Sequence, residues 1–294
     1  MIGRLLPAAA AAGAGLLVGS GIVATRYVIG QTDPASLALL RYVIGFLCLL
    51  PPVLLSARVP FAARDLLPIA LLGIAQFGIL IALLNFGLQH VPAALGALIF
   101  STFPLMTLLL AATLRYETLS LFKFAGVVLT IIGVGFALGG RFAPAPGGWV
   151  GELAVFASAL CGAVCSVLYR PYLRRYPVLQ VSAFAMFASV LFLALLAAGE
   201  GFFDAVPRFS PGGWLAVLFI GVSSAVGYYL WLWALSHTTP TKVTVFLALS
   251  PITATGLGAL LLAERVSLSF VIGLACVAFG LWLAHWQRGS PDRR

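Results

Sequence analysis

Hydroxyl and amide side chains recur inside long apolar stretches of this sequence, at Ser20, Gln76, Asn85, Ser101, Thr102, Ser223, Ser224, Thr244, Ser250 and Thr253. Burying such groups costs free energy unless each finds a hydrogen bond. Grouped around a cavity, they suit recognition of a polar or zwitterionic solute without a fixed countercharge. Tyr228 adds a hydroxyl on an aromatic ring, within the run Tyr228-Tyr229-Leu230-Trp231-Leu232-Trp233. On a helix one stripe cannot hold all four aromatics, so about half at most face any cavity, and Trp and Tyr also anchor at membrane interfaces. The chemistry these residues offer is hydrogen bonding and stacking, not bond making.

Carboxylates are placed differently. Asp33, Asp65, Glu117, Glu152, Glu200, Asp204, Glu264 and Asp292 all fall near the ends of apolar stretches or between them. A proton relay or cation site ordinarily needs a carboxylate deep in the membrane, so carboxylate-based proton exchange and cationic cargo are disfavoured. Acidic clusters that would hold a metal and a diphosphate are missing too. Glu117 and Glu264 each stand in a tight turn between two helices. They are expected to cap the next helix or to pair with Arg115 and Arg265.

Arg41 lies about seven residues into an apolar stretch, with no acid in helical reach. Snorkelling to the outer interface is the preferred role, with direct cargo contact the other one open to it. His90 and His237 flank short loops and read as interfacial anchors or caps. Cys48, Cys161, Cys165 and Cys276 lie within apolar stretches; without a Cys-x-x-Cys or Cys/His cluster they read as buried apolar residues. No metal site and no cofactor is expected. No Gly-rich loop with Lys is present to bind ATP, and no ATPase partner is implied.

These residues must be carried by membrane-spanning helices. The chain has 294 residues, 62% hydrophobic and 9% charged, with a mean hydropathy of +1.10. A soluble domain carries about 25% charged residues. Apolar runs recur at the length of about 20 residues that crosses the hydrocarbon core, and they do not alternate as barrel strands would. Ten spans are expected, near 6–29, 35–56, 66–88, 92–114, 118–139, 149–170, 177–198, 211–236, 240–263 and 267–286. Breakers such as Asp33-Pro34 and Ser210-Pro211-Gly212-Gly213 separate them. With the N-terminus inside, only Arg26, Arg141, Arg208 and Arg265 fall outside, and all other basic residues except Arg41 fall on the inner side. That asymmetry places both termini in the cytoplasm. A net charge of +9 therefore reports orientation and does not call for nucleic acid.

Sliding the chain by half its length aligns His90 with His237, Pro104 with Pro251, Glu117 with Glu264, Gly126 with Gly273 and Gly133 with Gly280. Gly73 meets Gly221 with a one-residue shift. The expected organisation is two five-helix repeats, 1–146 and 147–294, inserted in opposite senses. Inverted repeats are a recurrent transporter architecture. Pro104 and Pro251 fall mid-span and free carbonyls near Phe100 and Leu247, which makes them hinge or cavity-lining candidates, with passive kinks the alternative. Gly15 and Gly19 permit close helix contact.

The doubled pattern Pro104…Glu117-Thr-Leu-Ser120…Gly126…Gly133 and Pro251…Glu264-Arg-Val-Ser267…Gly273…Gly280 resembles the drug/metabolite transporter superfamily, in its ten-helix EamA branch. Gly19-Ser20…Ala24-Thr25-Arg26 and Leu40-Arg41-Tyr42 resemble motifs of that branch's first and second helices. As a whole the chain is also similar to the YddG-like amino-acid exporters. The resemblance implies a central cavity lined by spans one, three, four, six, eight and nine. Near Val18 and Gly162 the family often carries Trp; its absence here leaves either a roomier cavity or a different packing. The expected function is export of small neutral or zwitterionic metabolites, amino acids above all, by a multi-pass protein of the cell inner membrane. A membrane-embedded enzyme or a channel or receptor is the alternative.

Overall fold

A computed structural model describes residues 2–56, 59–114, 121–137, 149–204, 207–238 and 243–285. Glu117, Arg115, Arg141, Lys242 and Asp292 lie outside the described residues. The described chain is helical, with no strand. In order it forms α1 (Ile2–Val28), α2 (Pro34–Leu55), α3 (Ala63–Gly73), a π-helical turn (Ile74–Ile79), α4 (Leu80–His90), α5 (Ala93–Phe100) and α6 (Phe103–Thr113). There follow α7 (Leu121–Ala137), α8 (Val150–Leu168), the short α9 (Arg170–Leu173), α10 (Val178–Gly199) and α11 (Pro211–His237). A 3-10 turn (Val245–Ala248) leads into α12 (Leu249–Leu262), and α13 (Leu268–His285) ends the described chain. Among the described residues seven stretches are long and apolar enough to cross a membrane: Leu6–Gln31, Pro34–Leu55, Ala63–His90, Ala93–Thr113, Val150–Leu168, Val178–Gly199 and Pro211–His237. Leu55, Leu195, Leu260 and Leu268 point outward almost unburied, as a lipid-facing surface requires and a water-facing one does not.

Small residues set the packing. Gly73 of α3 lies against the Ala185 backbone of α10; a Cβ there would stand 2.6 Å from the Ala185 Cα. At Gly221 of α11 a Cβ would stand 2.5 Å from the Ile44 Cβ of α2. Gly19 of α1 packs on the Ser250 carbonyl and Thr253 of α12, and Gly15 on the Phe246 carbonyl. Between α7 and α13 the contact is reciprocal: a Cβ on Gly133 would meet the Gly273 carbonyl at 2.7 Å, and one on Gly280 the Gly126 carbonyl at 2.7 Å. Backbones in van der Waals contact are how helices associate where lipid removes the hydrophobic drive.

The polar groups at helix ends are paired across the fold. Glu200, at the end of α10, accepts from the Ala35 and Ser36 amides at 2.9 and 2.7 Å and so caps α2. Glu264 accepts from the Ala93 and Ala94 amides at 2.8 and 3.2 Å and caps α5. In sequence Glu264 is placed to cap the next helix or to pair with Arg265. Instead α13 has its own cap, the Ser267 hydroxyl accepting from the Phe270 amide at 3.1 Å, and Glu264 serves a helix remote in sequence. Arg26 donates to the Leu88 and Gln89 carbonyls at the end of α4. Asp65 accepts from the Tyr176 hydroxyl at 2.6 Å and from Arg175 at 3.5 Å. His90 and His237 behave alike: each places Nδ1 by the carbonyl four residues back, Phe86 at 2.9 Å and Trp233 at 2.8 Å. Each also packs its ring on that residue's ring.

Candidate functional site

The longer spans are interrupted where polar residues enter the core. Span four breaks between α5 and α6 at Ser101 and Thr102, just before Pro104. Pro104 has no amide to give to Phe100, and its ring clashes with the preceding turn. The two hydroxyls turn back onto the Leu98 and Ile99 carbonyls at 2.6 and 2.7 Å. Across the molecule the chain tightens into the 3-10 turn Val245–Ala248 before Pro251. Span three widens instead: in the π turn the Leu80 amide bonds five residues back to the Ala75 carbonyl. Cys161 and Cys165 of α8 direct their thiols at the Ala75 and Leu72 carbonyls, at 3.3 and 3.9 Å. Such π turns are frequent at functional sites, and here Gln76 and Phe77 of the turn face the cavity.

These irregularities surround one central cavity of about 100 Å³, walled by α1, α2, the π turn, α4, the α5–α6 break, α11 and Leu247. Four of the expected cargo-facing residues line it: Gln76, Ser223, Ser224 and Tyr228. The α11 wall is one helical stripe, Ser223, Ser224, Gly227, Tyr228 and Trp231, so Tyr229 and Trp233 point elsewhere. Phe100 and Leu247 both line the cavity. They are the residues four before Pro104 and Pro251, so neither carbonyl can take the amide of a regular helix; the Leu247 carbonyl accepts from the Leu249 amide instead.

The remaining candidates sit outside the lining. Ser20 bonds back to the Leu16 carbonyl at 2.9 Å, and Thr253 to Leu249 at 2.9 Å. Asn85 donates to the Pro34 carbonyl at 2.9 Å and ties α4 to the start of α2. Ser101 and Thr102 are consumed by the helix break, Thr244 is buried, and Ser250 lies under Gly19 with its hydroxyl unpartnered. The two positions lacking Trp differ from one another. Val18 lines the cavity and leaves it wider, whereas Phe103 closes over Gly162 and fills that space.

Arg41 departs from the interfacial role expected of it. It does not reach for the interface: it lines the cavity, and its Nε donates to the Ser224 hydroxyl at 2.5 Å. The signal was available, since a lone charge inside a span by default marks a functional site. The apolar wall is aromatic. Phe77 stands edge-on to Tyr42 at 4.9 Å and to Tyr228 at 4.1 Å, and Phe103 edge-on to Trp231 at 5.8 Å. Among the described residues no group of three or more His, Cys, Asp or Glu could hold a metal ion.

Apolar helices closing around a small, polar-headed cavity define a membrane transporter rather than a soluble binding module. The sequence profile of the EamA-like transporter family matches residues 5–139 and 149–286, and the chain belongs to that family, within the drug/metabolite transporters. A probable terminal-alkyne amino-acid exporter of Streptantibioticus cattleyicolor is 32% identical over 193 residues, 64% of this chain and 63% of that protein. An uncharacterized transporter of Archaeoglobus fulgidus is 24% identical over 276 residues, 92% of this chain and 95% of its own length. A solved crystal structure shares the fold, with a TM-score of 0.72 and 24% identity over 94% of this chain and 95% of that one.

Proposed function

We propose that this protein is a secondary transporter exporting small neutral or zwitterionic metabolites, amino acids first among them, by alternating access through the central cavity. The carrying observation is the cavity itself. Residues of both sequence halves wall it, and the register-matched pair Phe100 and Leu247 faces it from two interrupted helices. The name of the Streptantibioticus relative supports amino acids as the cargo class and export as the direction.

Two inverted five-helix repeats, 1–146 and 147–294, account for the reciprocal Gly133–Gly273 and Gly280–Gly126 contacts. They also account for the matched His90 and His237 geometry. The two stretches matched by the family profile fall one in each half. Under the ten-span topology with cytoplasmic termini, each end-capping pair joins segments of one membrane face. Arg26 with Leu88, Glu200 with Ala35 and Glu264 with Ala93 would lie outside; Asp65 with Tyr176 would lie inside. An enzyme reading would need an acid–base pair in the cavity, and its described lining has no His, Asp, Glu or Cys.

The test is a panel of amino acids and related metabolites in proteoliposomes, with and without a proton gradient. Saturable uptake that shows counterflow is expected for at least one neutral or zwitterionic member. Flux that never saturates would mark a channel, and no flux for any member would end the proposal. The interrupted helices yield a further prediction. Pro104→Ala and Pro251→Ala restore an amide and allow straighter helices. Each is expected to slow transport and shift cysteine accessibility toward one membrane face while cargo binding persists. Unchanged labelling and turnover in both would make the kinks passive.

A further inference from the structure

Arg41 is held by one nitrogen. Its Nε donates to the Ser224 hydroxyl, which in turn donates a hydrogen bond to the Ile220 carbonyl at 2.6 Å. Its Cζ lies 5.5 Å from the Tyr42 ring centroid. The absence of a side chain at Gly21 leaves room beside Nη2, which would stand 3.9 Å from a Cβ built there. The two terminal nitrogens make no hydrogen bond or ion pair with any described residue. Every described carboxylate lies outside the cavity lining. Asp65, Glu200 and Glu264 are moreover already engaged, by Tyr176 and Arg175, by Ala35 and Ser36, and by Ala93 and Ala94.

A guanidinium within a membrane-spanning helix without a countercharge is unfavourable. A ligand that supplies the missing anion recovers that cost. The open Nη fork matches a carboxylate, which can accept two parallel hydrogen bonds from it. Around it Phe77, Phe103, Tyr228 and Trp231 offer rings to an apolar substituent. An ammonium group finds no carboxylate there, only neutral acceptors such as Gln76, Ser223 and Tyr228. A monoanion thus brings the site to zero net charge, whereas a zwitterion leaves it at plus one.

We propose that the Arg41 terminal nitrogens, positioned by Ser224, form a carboxylate-binding subsite, and that the cavity recognises small monocarboxylates bearing an apolar or aromatic group without requiring an α-ammonium. The assignment rests on the transporter reading and extends its substrate class from neutral and zwitterionic solutes to monoanionic carboxylates.

Three matched probes test it on the purified full-length protein in nanodiscs: 3-phenylpropionate, L-phenylalanine and 2-phenylethylamine, followed by tryptophan fluorescence and thermal shift. The two carboxylates are expected to bind, 3-phenylpropionate at least as tightly as phenylalanine, and the amine to give no response. Arg41→Gln should weaken both carboxylates by about tenfold or more, the loss of a charge-assisted hydrogen bond. Arg41→Lys should retain part of the affinity, and Ser224→Ala should weaken it by a smaller factor. If Arg41→Gln fails to fold, unchanged carboxylate affinity in both Arg41→Lys and Ser224→Ala overturns the subsite. Amine binding equal to that of the carboxylates also overturns it, as does silence of both carboxylates. Phenylalanine binding about tenfold tighter than 3-phenylpropionate overturns the dispensable ammonium. In any of these cases, saturable counterflow of a neutral solute in proteoliposomes would leave the carrier itself standing.

Discussion

Replacing Gly73 by valine is expected to leave little folded protein in the membrane. A Cβ at this position would stand 2.6 Å from the Ala185 Cα and 2.7 Å from its carbonyl carbon. Overpacking typically costs 1–3 kcal/mol when side chains can shift. Here the obstacle is backbone, so α3 and α10 must separate and lose contacts along their length. A cost above about 3 kcal/mol is a large part of a total stability of about 5–15 kcal/mol. Gly135→Val and Gly256→Val are the controls, since a Cβ at either meets nothing within 4 Å. Size-exclusion profiles of detergent extracts should show a monodisperse peak for the controls and aggregate or no protein for Gly73→Val. A normal peak for Gly73→Val would mean that α3 and α10 do not pack as closely as described.

The second large effect is on function with the fold kept. Gly227 lines the cavity, and a Cβ there would make ordinary contact with Leu17, 3.4 Å from its Cβ. The first atom of a new side chain fits, and the rest must enter the cavity. A phenyl ring projecting from this wall occupies space between Leu17, Phe77 and Trp231 in which cargo would bind. Gly227→Phe should therefore extract as a monodisperse protein with transport at background. Wild-type transport in this variant would place the route elsewhere in the bundle.

Much of the scaffold was legible in the sequence because hydropathy and rare residues speak directly about it. The apolar runs mark the helices, and the matched His90 and His237 take up one geometry. Pro104 and Pro251 mark interruptions because a missing amide is a local fact that no tertiary contact restores. The cavity lining was less legible, because it depends on how each helix is rotated about its axis. Ser101 and Thr102 look like ligands in sequence, yet the broken helix uses their hydroxyls on its own carbonyls. The capping partner of Glu264 depends on a through-space contact with Ala93, which adjacency in the chain does not reveal. Nor does composition announce the π turn from which Gln76 and Phe77 face the cavity. The place of Arg41 is hidden for a different reason: its side chain is long enough to snorkel, and the partner that holds it, Ser224, is remote in sequence.

Alternating access through this cavity is tested most directly by a single cysteine at Ser223, on the α11 stripe, with Cys48, Cys161, Cys165 and Cys276 replaced by alanine. Membrane-impermeant thiol reagents are applied to right-side-out and to inverted vesicles. A residue in a cavity that opens to each face in turn is expected to react from both sides, more slowly when a transported solute fills the site. Reaction from one side alone, unaffected by such a solute, would contradict the account.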